Sequence, residues 1–510
     1  MLIIKNTLLK NKLVNIFIEG KKIKYIKPYT KCIETSKEDE VIDAGENLIL
    51  PGLIDSHLHT FASSKNNLIL TIDFSDITSL KEIEEKLIET VKKNNEKKWI
   101  IGKNLHAINF RNEKNEYLIN RQFLDKISKD SYIYITSICL HVGFVNEKVI
   151  KDLKLCNDKD TNIETGIVLD KKLGEISFSI PCPDMQTILL NTLNEYKKVG
   201  LTSVISNDLG WGKESEEIFK AFSLLSKEKK MPVRVFQQVK VNNLQEAKER
   251  IEYFKYSQYG LFNISMFKII CDGSFGAKTA SLIDTYKDSN EKGRLLIETN
   301  EIYKIVEFAN QKQIPVAIHT IGDNALKTVI DALKKIRNKH IKNQIVHCSL
   351  VNKKLLADIK KLNIQLSIQP CFLYDDYEFI KNILDDKQLK YWQLCKTFIK
   401  EEINIAGSSD SPICSFNPFT GIDATVNRKI KGIDIFPSEK VTLQEGIDMY
   451  TKNAAKLTSL KDIGEIKEGF FADLIIVNQN LYKIDSSQII NTKPIFVITD
   501  GKIVYKKANK

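Results

Sequence analysis

The sequence predicts an α/β protein built on a parallel (β/α)8 barrel, with a small β domain assembled from both ends of the chain. Three observations carry this. Apolar strand-like runs alternate with amphipathic helical stretches through the middle of the chain, a pattern that makes parallel sheets with crossover helices. The strand-like runs of that region count to eight, the number that closes such a barrel. Both ends read instead as short strands separated by turns.

The elements follow in order. Residues 1–50 contain LIIKNTLL, KLVNIFIEG, KIKYIKPY and VIDAGENLIL, with turns at Gly20 and at Gly45-Glu46. The run 49–56 is the first expected barrel strand. Strand-like runs at 68–74, 98–102 and 132–138 are surplus to the eight and fall in an expected insertion at about 60–185. The remaining barrel strands are expected at 202–206, 233–238, 265–271, 314–319, 344–347, 364–369 and 403–407. Helices are expected at 214–228, 243–256, 300–312, 323–337, 352–361 and 387–400. The end of the chain returns to strands, DLIIVNQN and PIFVITDGKIVYKK, with Asp500-Gly501 as a hairpin turn.

Bulk properties narrow the class. With 510 residues, 43% of them hydrophobic, the chain can bury more than one core. The net charge of +11 raises nucleic acid or an anionic membrane as partners. However, the lysines are interleaved with Glu and Asp, as across 81–98, which describes solvated helix faces. Neither partner is expected. Nine cysteines with no C-x-x-C pair point to reduced thiols and a cytoplasmic setting. The first residues, MLIIKNTLLKNKL, break their apolar character with three lysines, unlike a signal peptide. No apolar run approaches the ~18 residues of a membrane span.

Only seven histidines occur, so their positions matter. His57 and His59 end the apolar run LILPGLIDSHLH. Side chains at i and i+2 of a strand share a face, so both imidazoles are expected at the barrel's C-terminal mouth. His319 ends IPVAIH, His347 ends NQIVH, and Asp410 follows INIAGSSD. Four strand ends thus carry four imidazoles and a carboxylate, a nitrogen and oxygen set suited to Zn or a similar divalent ion. Lys268 lies inside SMFKIICDGS, where a lysine is costly unless paired. One reading takes it to a carboxylate or solvent. The other makes it a carboxylated lysine, an anionic oxygen ligand able to bridge two metals.

These residues resemble the amidohydrolase superfamily, and within it amidohydrolase family 3, which includes N-substituted formamide deformylases. The likeness runs from about residue 1 to 507. Its motifs here are PGLIDSHLH (51–59), LHVGFVN (140–146), ETGIVLD (164–170), GLTSV (200–204), KIICDGSFGAKTA (268–280), IHTIGDNA (318–325), IVHCS (345–349), SIQP (367–370), GSSDSPI (407–413), TKNAA (451–455) and GEIKEGFFADLIIV (464–477). The resemblance implies a TIM barrel over 51–455 and a composite β-sandwich from 1–50 plus 456–510. It implies metal ligation by His57, His59, Lys268, His319, His347 and Asp410, and a substrate-facing His141. Asp272, Gly273 and Phe372 are expected at the substrate pocket, with the Gly273–Gly276 turn offering backbone N–H groups. The sequence departs from the family pattern at Cys139-Leu140, Lys278, Val346 and Phe372, which leaves the substrate open.

The expected chemistry is hydrolysis of an amide or formamide-type C–N bond of a small molecule by a metal-activated water. Asp410 would move the proton and His141 or the metal would polarise the carbonyl. The expected cofactor is one or two divalent ions, Zn foremost, with carboxylated Lys268. A deaminase or cyclic-amide hydrolase on the same fold, and a catalytically silent ligand-binding barrel, are the alternatives. The sequence leaves a homodimer open.

Overall fold

The computed structural model describes residues 1–508 except 34, 69, 95–98, 139–140, 170, 181–183, 256–259 and 338–339. The Cys139-Leu140 departure, Cys182, Asp170 of ETGIVLD, and residues 69, 98 and 256 of expected elements lie outside the described residues. The chain forms two compact units, Met1–Ala62 with Leu189–Lys510, and Ser63–Ile188.

The first unit holds the barrel. Its strands are β1 (Leu53–Leu58), β2 (Leu201–Leu209), β3 (Arg234–Lys240), β4 (Phe262–Ile270), β5 (Val316–Thr320), β6 (Gln344–His347), β7 (Gln365–Ile368) and β8 (Ile405–Gly407). Each pairs in parallel with the next. Most of their residues are buried on both faces, as helix-covered parallel strands require. The ring closes just beyond β8, where the Asp410 N–H donates to the His57 carbonyl at 2.9 Å and the His59 N–H to the Ser411 carbonyl at 2.8 Å. Below that seam, Ser56 Oγ lies 2.7 Å from Ser367 Oγ and donates to the Gly407 carbonyl at 3.0 Å.

The run 49–56 divides between two sheets. Leu48–Pro51 joins the terminal sheet and Leu53–Leu58 enters the barrel. Gly52 makes the passage because any Cβ there would meet the Thr202 side chain at 2.2 Å. The expected helices appear at Ser215–Lys227, Leu244–Arg250 with Glu252–Lys255, Thr299–Gln311, Asp323–Leu333 and Lys353–Lys361. Asn352 caps the last of these, accepting from the Lys354 and Leu355 N–H groups at 3.1 Å.

The stretch 387–400 is not one helix. It forms Asp386–Leu389 and Lys396–Lys400, separated where Leu350 and Trp392 pair in a bridge and Gln393 takes φ 54°. Burying Trp392 competes with helix continuity and wins. The helix Phe372–Ile383 was not expected; Leu373, Ile380 and Ile383 share its buried face.

Both chain ends meet in one eight-stranded sheet. Its order is Lys502–Lys506, Pro494–Thr499, Leu474–Val477, Leu48–Pro51, Leu2–Leu9, Lys12–Glu19 and Lys22–Pro28, with Glu40–Asp43 alongside Leu2–Leu9. Asp500 (φ 54°) and Gly501 (φ 76°) form the final hairpin turn, both left-handed as such a turn requires. Arg234 at the start of β3 is buried and ties the barrel to this sheet through Asp473 (3.3 Å) and Asp500 (3.4 Å).

The second unit is built on a six-stranded sheet ordered Thr161–Asn162, Ile167–Leu169, Val142–Val145, Ile133–Ser137, Ile100–Leu105 and Leu70–Asp73. Alternation at Ile100 and Ile101 serves two cores: Ile100 packs with Phe74 and Ile133, whereas Ile101 packs with Tyr134 and Val168, and an irregularity between Gly102 and Leu105, where Asn104 takes φ 61°, returns Leu105 to the first core. Among the described residues, no helix is long and apolar enough to cross a membrane.

Candidate metal centre

Six chemistry-bearing side chains converge on the C-terminal mouth of the barrel. His57 is in β1 and His59 follows it directly; Lys268 is in β4, His319 in β5, His347 ends β6, and Asp410 follows β8. All six line one cavity of about 520 Å³. One ligand atom each from His57, His59 and Asp410 lies within 4.8 Å of the others. Asp410 Oδ1 stands 3.3 Å from both His57 Nε2 and His59 Nε2. The His319 and His347 rings form a second pair, 4.4 Å between centroids, and His347 lies 5.6 Å from His57.

The loops impose unusual backbone to achieve this. His347 (φ 73°), Cys348 (φ 49°) and Asp410 (φ 55°) are left-handed. Such residues cost about 1–3 kcal/mol each and persist where surrounding structure over-determines them.

Three histidines are oriented by acceptors that fix their tautomers. His59 Nδ1–H donates to the Asn207 carbonyl (2.9 Å), which turns Nε2 toward Asp410, and His347 Nδ1–H donates to Gln369 Oε1 (2.7 Å), which leaves its Nε2 as the free lone pair. His319 Nε2–H donates to the Gly273 carbonyl (3.1 Å), leaving Nδ1 free. A ligating imidazole is typically held in this way by its other nitrogen. Gln369 is itself braced, its amide donating to Ser408 Oγ at 2.9 Å.

Burial sets the electrostatics. It drives His57 down to about 3 and His319 to about 4, each aided by the Lys268 charge, and holds His347 well below its ordinary value. Neutral imidazole is the form that ligates. For Asp410, burial pushes upward, but hydrogen bonds from His57 and His59 overcome it and hold the carboxyl well below the usual range. Burial lowers Lys268 to about 7; the side chain is 1% exposed and Nζ has no hydrogen-bond partner. A buried amine without a hydrogen-bond partner is costly to keep charged, which is the cause of that lowering.

The remaining expected residues take other places. Asp272 lines the cavity wall, yet its two oxygens accept from the Ile321 (3.0 Å), Gly322 (2.9 Å) and Ser281 (2.9 Å) N–H groups. It ties the loop after β4 to the loop after β5. Gly273 offers its carbonyl to the site, since its N–H is directed to the Thr279 carbonyl at 3.3 Å. Of the Gly273–Gly276 turn, Gly273 itself thus turns its N–H away from the site, and glycine is needed there because a Cβ would meet Thr279 Oγ1 at 2.0 Å. Phe372 lies nearly parallel to His347, 6.2 Å between centroids, and is buried with Cys371 and Cys414. It backs a ligand. His141 belongs to the second unit, just before Val142–Val145, and is exposed.

Several site residues escaped the sequence reading. Asp55 Oδ1 accepts from the His57 N–H (3.1 Å) and the Ser409 N–H (3.2 Å), pinning the two sides of the seam. Its signal was a lone carboxylate inside LILPGLIDSH. Asp208 accepts from Gln237 (2.7 Å) and the Phe61 N–H (2.9 Å) beneath His59. Gln369 ended the expected strand 364–369 within SIQP, and Asn207 and Trp211 had no signal beyond following a strand-like run.

The family model for the amidohydrolase family matches residues 40–505. The chain belongs to that family. Among relatives of this amidohydrolase, YtcJ of Bacillus subtilis (strain 168), which carries an amidohydrolase name, is 27% identical over 97% of the chain and 96% of its own length. The N-substituted formamide deformylase of Arthrobacter pascens is 20% identical over 96% of the chain and 95% of its length. The crystal structure of an uncharacterized metal-dependent hydrolase from Pyrococcus furiosus superposes with a TM-score of 0.77 at 26% identity, covering 94% of this chain and all of that one. The amidohydrolase is thus a metal-dependent hydrolase, and its nitrogen and oxygen donors at one cavity fit a divalent ion.

Proposed function

We propose that this amidohydrolase cleaves a non-peptide C–N bond, an amide or formamide, of a small molecule. The observation that carries the reading is the convergence of His57, His59 and Asp410 within 4.8 Å, in a cavity also lined by Lys268, His319 and His347. The cavity volume of about 520 Å³ suits a small molecule. The formamide deformylase among its relatives supports the bond type.

In this reading His57, His59 and Asp410 would hold one ion, and His319, His347 and a carboxylated Lys268 would offer the further donors a second ion needs. Zn suits the donor set. A bound divalent ion supplies Lewis acidity, making water nucleophilic at neutral pH and polarising the scissile carbonyl. Asp410, held ionised by its two imidazole neighbours, accepts the proton from the attacking water at a carboxylate oxygen and delivers it to the leaving nitrogen. Asn207, Gly273 and Gln369 keep the imidazoles aimed throughout.

The test is metal content per chain by elemental analysis, together with a panel of amides, formamides, cyclic amides and deaminase substrates. The expected result is bound divalent metal and amine release from an amide or formamide. Turnover confined to deaminase substrates would replace the reading, and failure to take up Zn or Mn would end it.

A further inference from the structure

Three large apolar side chains stand exposed around the same cavity: Trp211 at 50%, Leu296 at 53% and Ile413 at 69%. Trp211 is exposed yet held. Its Nε1–H donates to Asn207 Oδ1 at 3.2 Å, its ring lies edge-on to His59 at 6.2 Å, and Lys240 Nζ sits 4.6 Å from its centroid. Folding alone gives no reason to fix an indole at the mouth of a polar site; a platform for an apolar group does.

A second cavity of about 210 Å³ shares Trp211, Ile270 and Leu296 with the first and adds Lys240 and Asn242. The two spaces are therefore neighbours that share the indole as a wall. Lys240 is the last residue of β3, on the rim where barrel enzymes place functional groups. It is half-buried, and Nζ bonds Asn242 Oδ1 at 2.9 Å. No carboxylate pairs with it among the described residues. Glu246, whose charge reaches it, is engaged by Arg250 (2.9 Å) and by Asn242 (3.0 Å).

We propose that the substrate carries an apolar arm ending in a carboxylate, with the arm along Trp211 and Leu296 and the carboxylate at the Lys240 ammonium. This rests on the hydrolase reading for the scissile end only. The two components call for different recognition: hydrocarbon or aromatic surface against the indole, and a charge-assisted hydrogen bond from the ammonium that lies over that ring at 4.6 Å.

The test uses the full-length, metal-loaded protein with 4-(formamidomethyl)benzoate, its methyl ester and N-benzylformamide. Binding is followed by equilibrium dialysis, and formate release separately. The carboxylate probe is expected to bind about tenfold or more tightly than the ester. That ratio falls toward one in Lys240→Met and is largely retained in Lys240→Arg. Trp211→Ala weakens all three probes, because each carries the aromatic arm. Equal binding of acid and ester, a ratio that survives Lys240→Met, or no binding of any probe overturns the subsite. Carboxylate-dependent binding without formate release supports the subsite and counts against the formamide reading. Formate release from acid and ester alike does the reverse.

Discussion

The Asp410 amide nitrogen donates to the His57 carbonyl oxygen at 2.9 Å, across the seam where the last barrel strand meets the first. The same two residues face each other through their side chains, Oδ1 to Nε2 at 3.3 Å. Barrel closure and the proposed proton-transfer geometry are thus one arrangement. Asp410→Asn preserves the backbone bond and the side-chain shape but removes the charge. A fall in kcat of about 10²- to 10⁴-fold is expected, with near-native circular dichroism. Wild-type turnover would remove Asp410 from proton transfer.

Gln369 acts on the centre through His347. Gln369→Leu keeps the volume but leaves Nδ1 of a buried ring without its acceptor. Metal affinity is expected to fall about 10- to 100-fold, read by competition with a chromogenic chelator. Unchanged affinity would show that His347 holds no metal.

Lys268 separates a ligand from a structural lysine without any activity assay. Lys268→Met replaces an amine that is buried and unpartnered with an apolar chain of similar length. In chelator-treated protein the variant should be more stable, by about 1–3 kcal/mol, while its metal stoichiometry drops. A destabilised variant with full metal content would contradict the assignment.

Arg234 is a structural prediction independent of the site. Its guanidinium is buried between Asp473 and Asp500. Asp500 keeps Lys21 at 2.8 Å, but Arg234→Met leaves the buried Asp473 carboxylate uncompensated and should cost about 3–5 kcal/mol in urea unfolding. Adding Asp473→Leu should recover part of that loss.

Asp376 gives a pH test. Burial, and then repulsion from Asp375, raise its carboxyl from 3.8 to about 6. A carboxyl raised in the folded state contributes stability below its unfolded value and loses it as pH climbs through 6. Asp376→Asn should therefore raise Tm relative to wild type at pH 8, with the gain vanishing near pH 4. A constant difference across that range would mean the group titrates normally.

All eight barrel strands fall on runs visible in the sequence, because a strand buried on both faces must be apolar along its length. The ligand candidates were visible for a related reason: His319, His347 and Asp410 interrupt or end such runs, where a polar group is conspicuous. The misread elements share the opposite property. In the run 49–56 apolar residues flank Pro51-Gly52 on both sides, so it reads as one strand, and only the packing of Gly52 against Thr202 shows the change of sheet. The helix expected at 387–400 yields to the packing of Trp392 against Leu350, which no local pattern records.

By itself the sequence determined the barrel, the β-rich ends and the set of imidazoles and carboxylate at the strand ends, since apolar periodicity and its interruptions are local properties. The tertiary structure alone decided which nitrogen each histidine presents. His59 depends on a carbonyl 148 residues away, His319 on one 46 away and His347 on an amide 22 away. It alone decided that Asp55 pins the seam and that Trp211 stands open beside Lys240. Hydrogen-bond direction and exposure arise between segments that the chain brings together only on folding, so no local window of residues contains them.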